Sequence, residues 1–281
     1  MPDNPPREHL YYAEATALTG SLQLPLVQEI RAHSALKLPE KGGYFSQHSD
    51  AYRLEGVLSY KSSYTQVAGN SDVKEGHGWS TLGTSVIEGL NVLDIVTADR
   101  VVAQLTTDHP LIGYVPSITF LGTRFENLRI GGHPVKLDLD LNLFGAKPAG
   151  DKSYTSDPGF IKRVASQYEG IRAHQNLPAE LRQRYNQLPT TSDRQESIDC
   201  SLVNHADGSY PGQSFGHVID VPNFGQIHLA CVRLEQSDFD TKTGAPKKTV
   251  IKLTMLDLHM GCLAAGDIGA GGLTHNGGTR P

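Results

Sequence analysis

The stretch GQSFG, residues 212–216, fits the G-x-S-x-G pattern in which serine hydrolases carry their nucleophile. That chemistry needs a strand before the serine and a helix after it, because the strained turn between them lifts the hydroxyl group above the sheet. Ser214 instead follows a turn-rich segment, NHADGSYP, and precedes HVIDVP, which has the composition of another strand. The sequence therefore favours a glycine-rich turn at Ser214, and a serine hydrolase is the weakest of three functional hypotheses.

Histidines on neighbouring predicted strands are the candidates for a metal site. The segment GHVIDVPNFGQIHLACV predicts a hairpin that turns at residues 222–225. With a turn of that length, His217 and His228 become diagonal neighbours on one face of the sheet. His259 or Asp257 on the next predicted strand would supply a third ligand. A turn with an odd number of residues would place the two histidines on opposite faces and exclude the site.

A glycine-bounded segment, KEGHGWSTLG, contains the single tryptophan of the chain. An exposed Trp79, with His77 beside it, would stack on a sugar or anchor a protein partner. The alternative is that Trp79 is an amphipathic plug at the edge of a sheet.

Composition narrows the class of protein. The chain has 281 residues and a formal net charge of -5, with lysine and arginine scattered along it, so the basic stripe of a nucleic-acid-binding protein is absent from the sequence. No run of 18 apolar residues predicts a membrane-spanning helix. The three cysteines, Cys200, Cys231 and Cys262, match no zinc-binding spacing and are expected to be buried thiols.

The first twelve residues, MPDNPPREHLYY, lack the apolar core of a secretory signal peptide. We therefore expect a cytoplasmic protein, a mature form, or export by another route.

Short segments rich in Val, Ile, Thr, Leu and Tyr, separated by Gly and Pro, predict an all-β fold. The clearest is VKLDLDLNL, residues 135–143, whose strict alternation predicts a half-buried antiparallel strand. We expect it to form a hairpin with FENLRI, in which Ile130 pairs with Val135 and Leu128 lies opposite Leu137. Further strands are predicted at 11–24, 51–67, 80–95, 98–107, 115–127, 197–204, 216–221, 226–235 and 249–260.

Two helices interrupt this pattern. Asp157 followed by Pro158 is a strong start signal, and apolar residues then recur at helical spacing. A second helix is predicted from Pro178 to the residue before Pro189. Because both helices are amphipathic, they must lie on a face or an end of the sheets.

The resulting organisation has four parts. Residues 1–150 form a β-rich region, residues 151–195 a loop and a helical insertion, and residues 196–265 strands that complete the sandwich or form a second β-unit. Residues 266–281 form a tail with six glycines between positions 266 and 278. We expect this tail to be mobile alone and, in an assembly, to cross a neighbour or pair with a sheet edge.

The segment TSVIEGLNVLDIVTADRVVAQL, residues 84–105, carries Gly89-Leu90 and the run from Ala98 to Val101. In these features it resembles bacterial proteins of the choice-of-anchor type, and the similarity extends less specifically to residue 135. The resemblance implies a β-rich, exported and surface-associated protein. The chain departs from that type because it shows neither a signal peptide nor a recognisable anchor.

We therefore predict an antiparallel β-sandwich or jelly-roll-like pair of sheets with a two-helix insertion. The leading functional hypothesis is a non-enzymatic structural or self-assembling protein whose partner is itself, as a homo-oligomer or filament, with no nucleic acid and no cofactor. The alternative is a ligand- or metal-binding β-sandwich, or an enzyme, that uses strand histidines.

Overall fold

The computed structural model describes residues 8–24, 27–54, 56–71, 77–261 and 264–280. Strands make up 59% of it and helices 11%, and antiparallel sheets pack against each other, which confirms the all-β sandwich predicted from the sequence. Within those ranges, no helix has the length and apolar character needed to cross a membrane.

The described residues form twenty strands and two α-helices. The strands before the helices are β1 Glu8–Leu24, β2 Gln28–Lys37, β3 Gly43–Ser49, β4 Tyr52–Leu54, β5 Leu58–Tyr60, β6 Ser62–Ser71, β7 His77–Val92, β8 Val96–Pro110, β9 Ser117–Thr119, β10 Arg124–Glu126, β11 Arg129–Ile130, β12 His133–Pro134 and β13 Lys136–Leu139. The helices are α1 Pro158–Arg172 and α2 Ala179–Arg184. The strands after them are β14 Ser197–Ser201, β15 Val203–Asp207, β16 Gln213–Phe215, β17 Val218–Val221, β18 Gly225–Phe239, β19 Pro246–Gly261 and β20 Ala265–Arg280.

Two large antiparallel sheets make the sandwich. The terminal sheet, so named because it holds both ends of the described chain, has the order β16-β17-β18-β19-β20-β1-β2, with β14 also paired to β18. The middle sheet has the order β12-β11-β8-β7-β5-β4, and β3, β6, β9 and β10 extend it. A separate pair, β13 and β15, completes the strands of the described regions. The terminal sheet therefore combines strands from before and after the helical insertion.

Small side chains on β1 bring the two sheets close together. Ala13, Ala15 and Ala17 alternate along the buried face of β1 and are fully inaccessible to solvent. Across the sandwich, the hydroxyl of Ser85 on β7 donates a hydrogen bond to the carbonyl oxygen of Thr16 at 3.1 Å. The core is therefore thin enough here for a side chain of one sheet to reach the backbone of the other.

The glycine-rich C-terminal segment is a central strand, so the expectation of a mobile tail is wrong. Strand β20 pairs with β19 along one edge and with β1 along the other. Its backbone hydrogen bonds need no large side chains, and its glycines accept close neighbours. A Cβ atom on Gly271, whose φ is +67°, would lie 3.0 Å from the Met255 side chain and 3.5 Å from that of Val101 in the middle sheet.

The predicted pairing of Ile130 with Val135 is also wrong. Ile130 pairs with His133 across a two-residue turn made by Gly131 and Gly132, whose φ angles are +56° and +81°. Two positive φ angles define a type I′ turn, which fixes a tighter hairpin than the one expected. The next strand, β13, covers only Lys136–Leu139 of the predicted 135–143, because the chain enters a turn after it. Strand β13 pairs with β15.

The two-helix insertion is confirmed, although α2 ends at Arg184 and does not extend to Pro189 as predicted, and both helices cover the terminal sheet. The Asp157 carboxylate caps α1 by accepting a hydrogen bond from the Phe160 amide at 2.8 Å. Gln167 of α1 donates to the Ser201 carbonyl oxygen at 2.7 Å, and the Tyr168 hydroxyl donates to the Asp199 carbonyl oxygen at 3.1 Å. These bonds hold α1 on β14, beside the strands that carry the predicted histidines.

Candidate metal centre

Three side chains with metal-binding atoms converge where α2 meets β17 and β18. One ligand atom each from His217, His228 and Cys231 lies within 4.8 Å of the other two. We call this group the His–Cys cluster. Both histidines are buried, at 4% and 2% exposure, and the cysteine is half-buried. Sequence reasoning identified the two histidines but missed the cysteine.

The cysteine reaches the cluster because the alternation of β18 changes phase. In a regular strand, residues 228 and 231 would point to opposite faces. Ala230 between them is in the left-handed conformation, with φ +46°. Before Ala230 the odd-numbered residues Ile227 and Leu229 lie in the core, and after it the even-numbered residues Val232 and Leu234 lie there. His228 and Cys231 therefore share the opposite face.

The predicted turn register is wrong, although the histidines still meet. The turn between β17 and β18 has three residues, because Val221 pairs with Gly225 and Asn223 takes a φ of +62°. A turn with an odd number of residues places two side chains on opposite faces of the sheet only when both residues belong to the paired strands. His217 precedes the first residue of β17 and follows Gly216, whose φ is +64°, so its direction is set by that turn.

Hydrogen bonds orient both imidazole rings of the cluster. His217 Nε2 is hydrogen-bonded to the Tyr185 hydroxyl at 2.9 Å. His228 Nε2 lies 3.3 Å from Gln226 Oε1, and because an amide oxygen only accepts, the ring proton is on Nε2. The other nitrogen of His228, Nδ1, then carries a lone pair, and it is buried with no hydrogen-bond partner among the described residues.

Burial keeps the cluster uncharged. Burial is the largest cause that lowers the pKa of His217 to about 3 and that of His228 to about 4, and a neighbouring imidazole and then Arg184 contribute less. Burial also raises the pKa of the Cys231 thiol to about 12. At neutral pH the cluster therefore has two neutral imidazoles, which are ready ligands, and a thiol that a cation would have to deprotonate.

The other two predicted ligands form a neighbouring group. His259 Nε2 lies 3.2 Å from an oxygen of Asp257, and its Nδ1 lies 2.7 Å from an oxygen of Asp267. These contacts, first the hydrogen bond that His259 donates to Asp257, raise the pKa of His259 to about 9, so it is protonated at pH 7. Its ring meets that of His228 edge to face, with centroids 4.9 Å apart. His259 and Asp257 thus adjoin the cluster and are engaged with each other.

The family comparison places most of this region inside a known domain. The family described as a domain of unknown function, DUF8256, has a model that matches residues 9–235. The chain belongs to this family. No curated protein and no solved structure is similar enough to match it. The DUF8256 match includes the whole His–Cys cluster, whereas Asp257, His259 and Asp267 lie beyond its end.

Ser214 lies in a DUF8256 hairpin that has none of the geometry of a nucleophile elbow. Strand β16 contains Ser214, Gly216 follows in the turn, and the next element is strand β17. The Ser214 hydroxyl donates to the Gly216 carbonyl oxygen at 3.3 Å. The predicted strand after Ser214 is therefore present, but Ser214 itself lies on a strand and not in the glycine-rich turn that the sequence favoured.

Trp79 lies near the start of β7, a strand of the middle sheet that is paired on both sides at this residue, in a different part of the DUF8256 fold. It is half-buried and stacks on His9, with ring centroids 5.0 Å apart and planes 10° apart. His9 also contacts His109 at 4.7 Å, and both ring nitrogens of His9 lack a hydrogen-bond partner among the described residues. The His77 side chain lies outside the described part of the structure. Binding of a sugar at Trp79 stays a prediction.

Proposed function

We propose that the protein binds one transition-metal ion of the zinc class through His217, His228 and Cys231. The proposal is supported chiefly by the convergence of three ligand atoms within 4.8 Å on a buried surface. Ligand atoms about 2.0–2.3 Å from a tetrahedral zinc ion lie about 3.4–3.6 Å from one another, so a small closure brings the cluster to zinc geometry. Imidazole and thiolate ligands together favour zinc-class ions over calcium or magnesium.

The surroundings of the ligands support the same ion. Metal-ligating histidines usually donate their second ring N–H to a nearby oxygen, which fixes the tautomer and the ring orientation. Gln226 fills this role for His228, and Tyr185 is placed to do so for His217. The Nδ1 atom of His228 is buried without a hydrogen-bond partner among the described residues, and a bound ion would give its lone pair a partner.

Cobalt binding tests this function directly. Co²⁺ added to the full chain at pH 7.5 should bind at one equivalent and give the visible bands of tetrahedral coordination and a thiolate-to-cobalt charge-transfer band. Because the Cys231 thiol is protonated at neutral pH, calorimetry in two buffers should also show release of about one proton per ion. Zinc should displace the cobalt and abolish both sets of bands.

Two cysteines on neighbouring strands, Cys200 on β14 and Cys231 on β18, provide a matched control. Cys231→Ala should remove the charge-transfer band, whereas Cys200→Ala, at a thiol outside the cluster, should keep it. His228→Ala should weaken binding at least tenfold. A wild-type chain that binds no Co²⁺ or Zn²⁺ at micromolar concentration, or that binds them equally well without Cys231, would refute the proposal.

Self-assembly is a second candidate function, supported by one edge strand. Among the described strands, β3 pairs only with β6, and its side chains Tyr44 and Phe45 are 60% and 42% exposed. Exposed edge strands of this kind pair readily with another chain. The C-terminal segment no longer contributes to the proposal, because β20 is paired on both edges. Light scattering should show a concentration-dependent rise in mass that Phe45→Lys abolishes; a wild-type monomer at all concentrations would exclude assembly.

A further inference from the structure

A small cavity opens beside the His–Cys cluster. It has a volume of about 170 Å³, and His217 and Cys231 form part of its wall. Three cationic side chains, Arg184, Arg233 and Lys252, line the same cavity. Among the described residues, Asp199 alone contributes a carboxylate group to this lining, which is therefore positively charged overall. A second cavity of about 440 Å³, on the other side of Arg184, is lined by His228 and also by acidic side chains.

Two of the three cations are already paired with carboxylates. Arg233 Nε lies 2.9 Å from Glu235, and its Nη1 lies 3.8 Å from Asp199. Lys252 Nζ lies 2.9 Å from the same Glu235. Arg184 makes no ion pair with a carboxylate of the described residues. Its guanidinium lies over the Tyr185 ring, 5.7 Å from the centroid, at the edge of both cavities.

The position of Arg184 is unfavourable for a bare metal ion, and this points to an additional ligand. Its side chain lines one cavity together with His217 and the other together with His228, so its positive charge would repel a divalent cation bound to these histidines. An anion placed between the guanidinium and the ion would be attracted by both. Three protein ligands also leave one position open on a tetrahedral ion, as in catalytic zinc sites.

We infer that a small oxyanion occupies the fourth position of the proposed ion and is held on its other side by Arg184. This inference rests on the proposed metal binding. The planar guanidinium matches the paired oxygens that phosphate and carboxylate groups share, and the 170 Å³ cavity admits such a group but not a large ligand. The site would therefore take inorganic phosphate, a carboxylate, or the anionic end of a larger molecule.

Anion titration of the cobalt-loaded full chain tests the inference. Phosphate and acetate are added separately at constant ionic strength, and chloride serves as a control that lacks paired oxygens. At least one of the two oxyanions should shift the visible cobalt bands in a saturable way, and the one that binds more tightly identifies the ligand source. Arg184→Met should weaken the binding of that anion at least tenfold. Arg184→Lys should weaken it less, because lysine keeps the positive charge.

Arg182→Met is the matched control, because Arg182 is an exposed arginine on the same helix that lines neither cavity. Failure of Co²⁺ to bind at all would overturn the proposed metal function. A bound Co²⁺ whose spectrum neither phosphate nor acetate changes would overturn only the anion inference. Equal anion affinity in the wild type and Arg184→Met, or an equal loss in Arg182→Met, would also overturn it.

Discussion

Acid should destabilise this protein through imidazoles that lie in its interior, and His9 allows the effect of one of them to be measured. His9 is buried against Trp79, and burial lowers its pKa to about 4. In the unfolded chain its pKa is about 6.5. As the pH falls below about 6.5, His9 binds a proton in the unfolded state but stays neutral in the folded state. The contribution of neutral His9 to the free energy of unfolding is therefore fully present above about pH 6.5 and is lost as the pH falls towards 4.

The size of the effect follows from the two pKa values. Between pH 7.0 and pH 5.5, His9 alone should lower the free energy of unfolding by about 1.2 kcal/mol. Burial lowers the pKa of His217, His228 and His275 in the same way, so these three imidazoles and His9 together should lower the free energy of unfolding by about 5 kcal/mol over this range. A loss of that size is a large share of the stability of an ordinary domain, about 5–15 kcal/mol.

His9→Phe keeps an aromatic ring on Trp79 and removes the titration. Urea unfolding followed by circular dichroism at pH 7.0 and pH 5.5 should show a pH-dependent loss about 1.2 kcal/mol smaller in this variant than in the wild type. The opposite contribution of His259, whose pKa is raised, is common to both proteins and cancels. His205→Asn, at an exposed histidine, should behave like the wild type. If His9→Phe and wild type lose equal stability, then His9 does not resist protonation in the folded protein.

Three further predictions concern the backbone and the charged group beside the cluster. Gly225→Ala should lower the free energy of unfolding, measured by thermal unfolding, by more than about 2 kcal/mol, because the φ of Gly225 is +127° and a Cβ would lie 2.1 Å from a backbone oxygen. Gly244→Ala, which has open space around it, should lower it by about 1 kcal/mol. Equal losses in the two variants would contradict the close approach at Gly225. Asp157→Ala should lose about 1 kcal/mol in urea unfolding, and no loss would mean that the cap contributes nothing. An NMR titration of His259 should give a pKa of about 9 that falls in Asp267→Asn, and an unchanged value would exclude the Asp267 contact as a cause.

Strong local signals made most of the fold predictable. The Asp157-Pro158 pair marks the start of α1 because it combines a cap with a proline that needs no amide partner. Strands β7 and β8 alternate clearly, since one face of each packs in the core. Strands β2 and β3 gave no such signal, because residues 28–37 and 43–49 are largely exposed and carry polar side chains on both faces. Their strand conformation comes from pairing with β1 and β6.

The two histidines of the cluster could be predicted from the sequence and its cysteine could not, and the reason is the conformation of a single residue. Pairing arguments bring His217 and His228 together, but they assign residue 231 to the other face. Its inclusion depends on the left-handed conformation of Ala230, which alanine adopts rarely and which leaves no mark in the sequence. A glycine at that position would have signalled the change of face.

The pairing of β1 with β20 also bears on how the protein folds during synthesis. Thr16 and Gly272 are register partners although more than 250 residues separate them in the chain. Strand β1 is among the first parts of the described chain to leave the ribosome, yet one of its edges finds its partner only when β20 emerges. Contacts this distant in sequence make folding slow, and the unpaired edge is open to other chains meanwhile. The nascent protein should therefore depend on chaperones until β20 has been made.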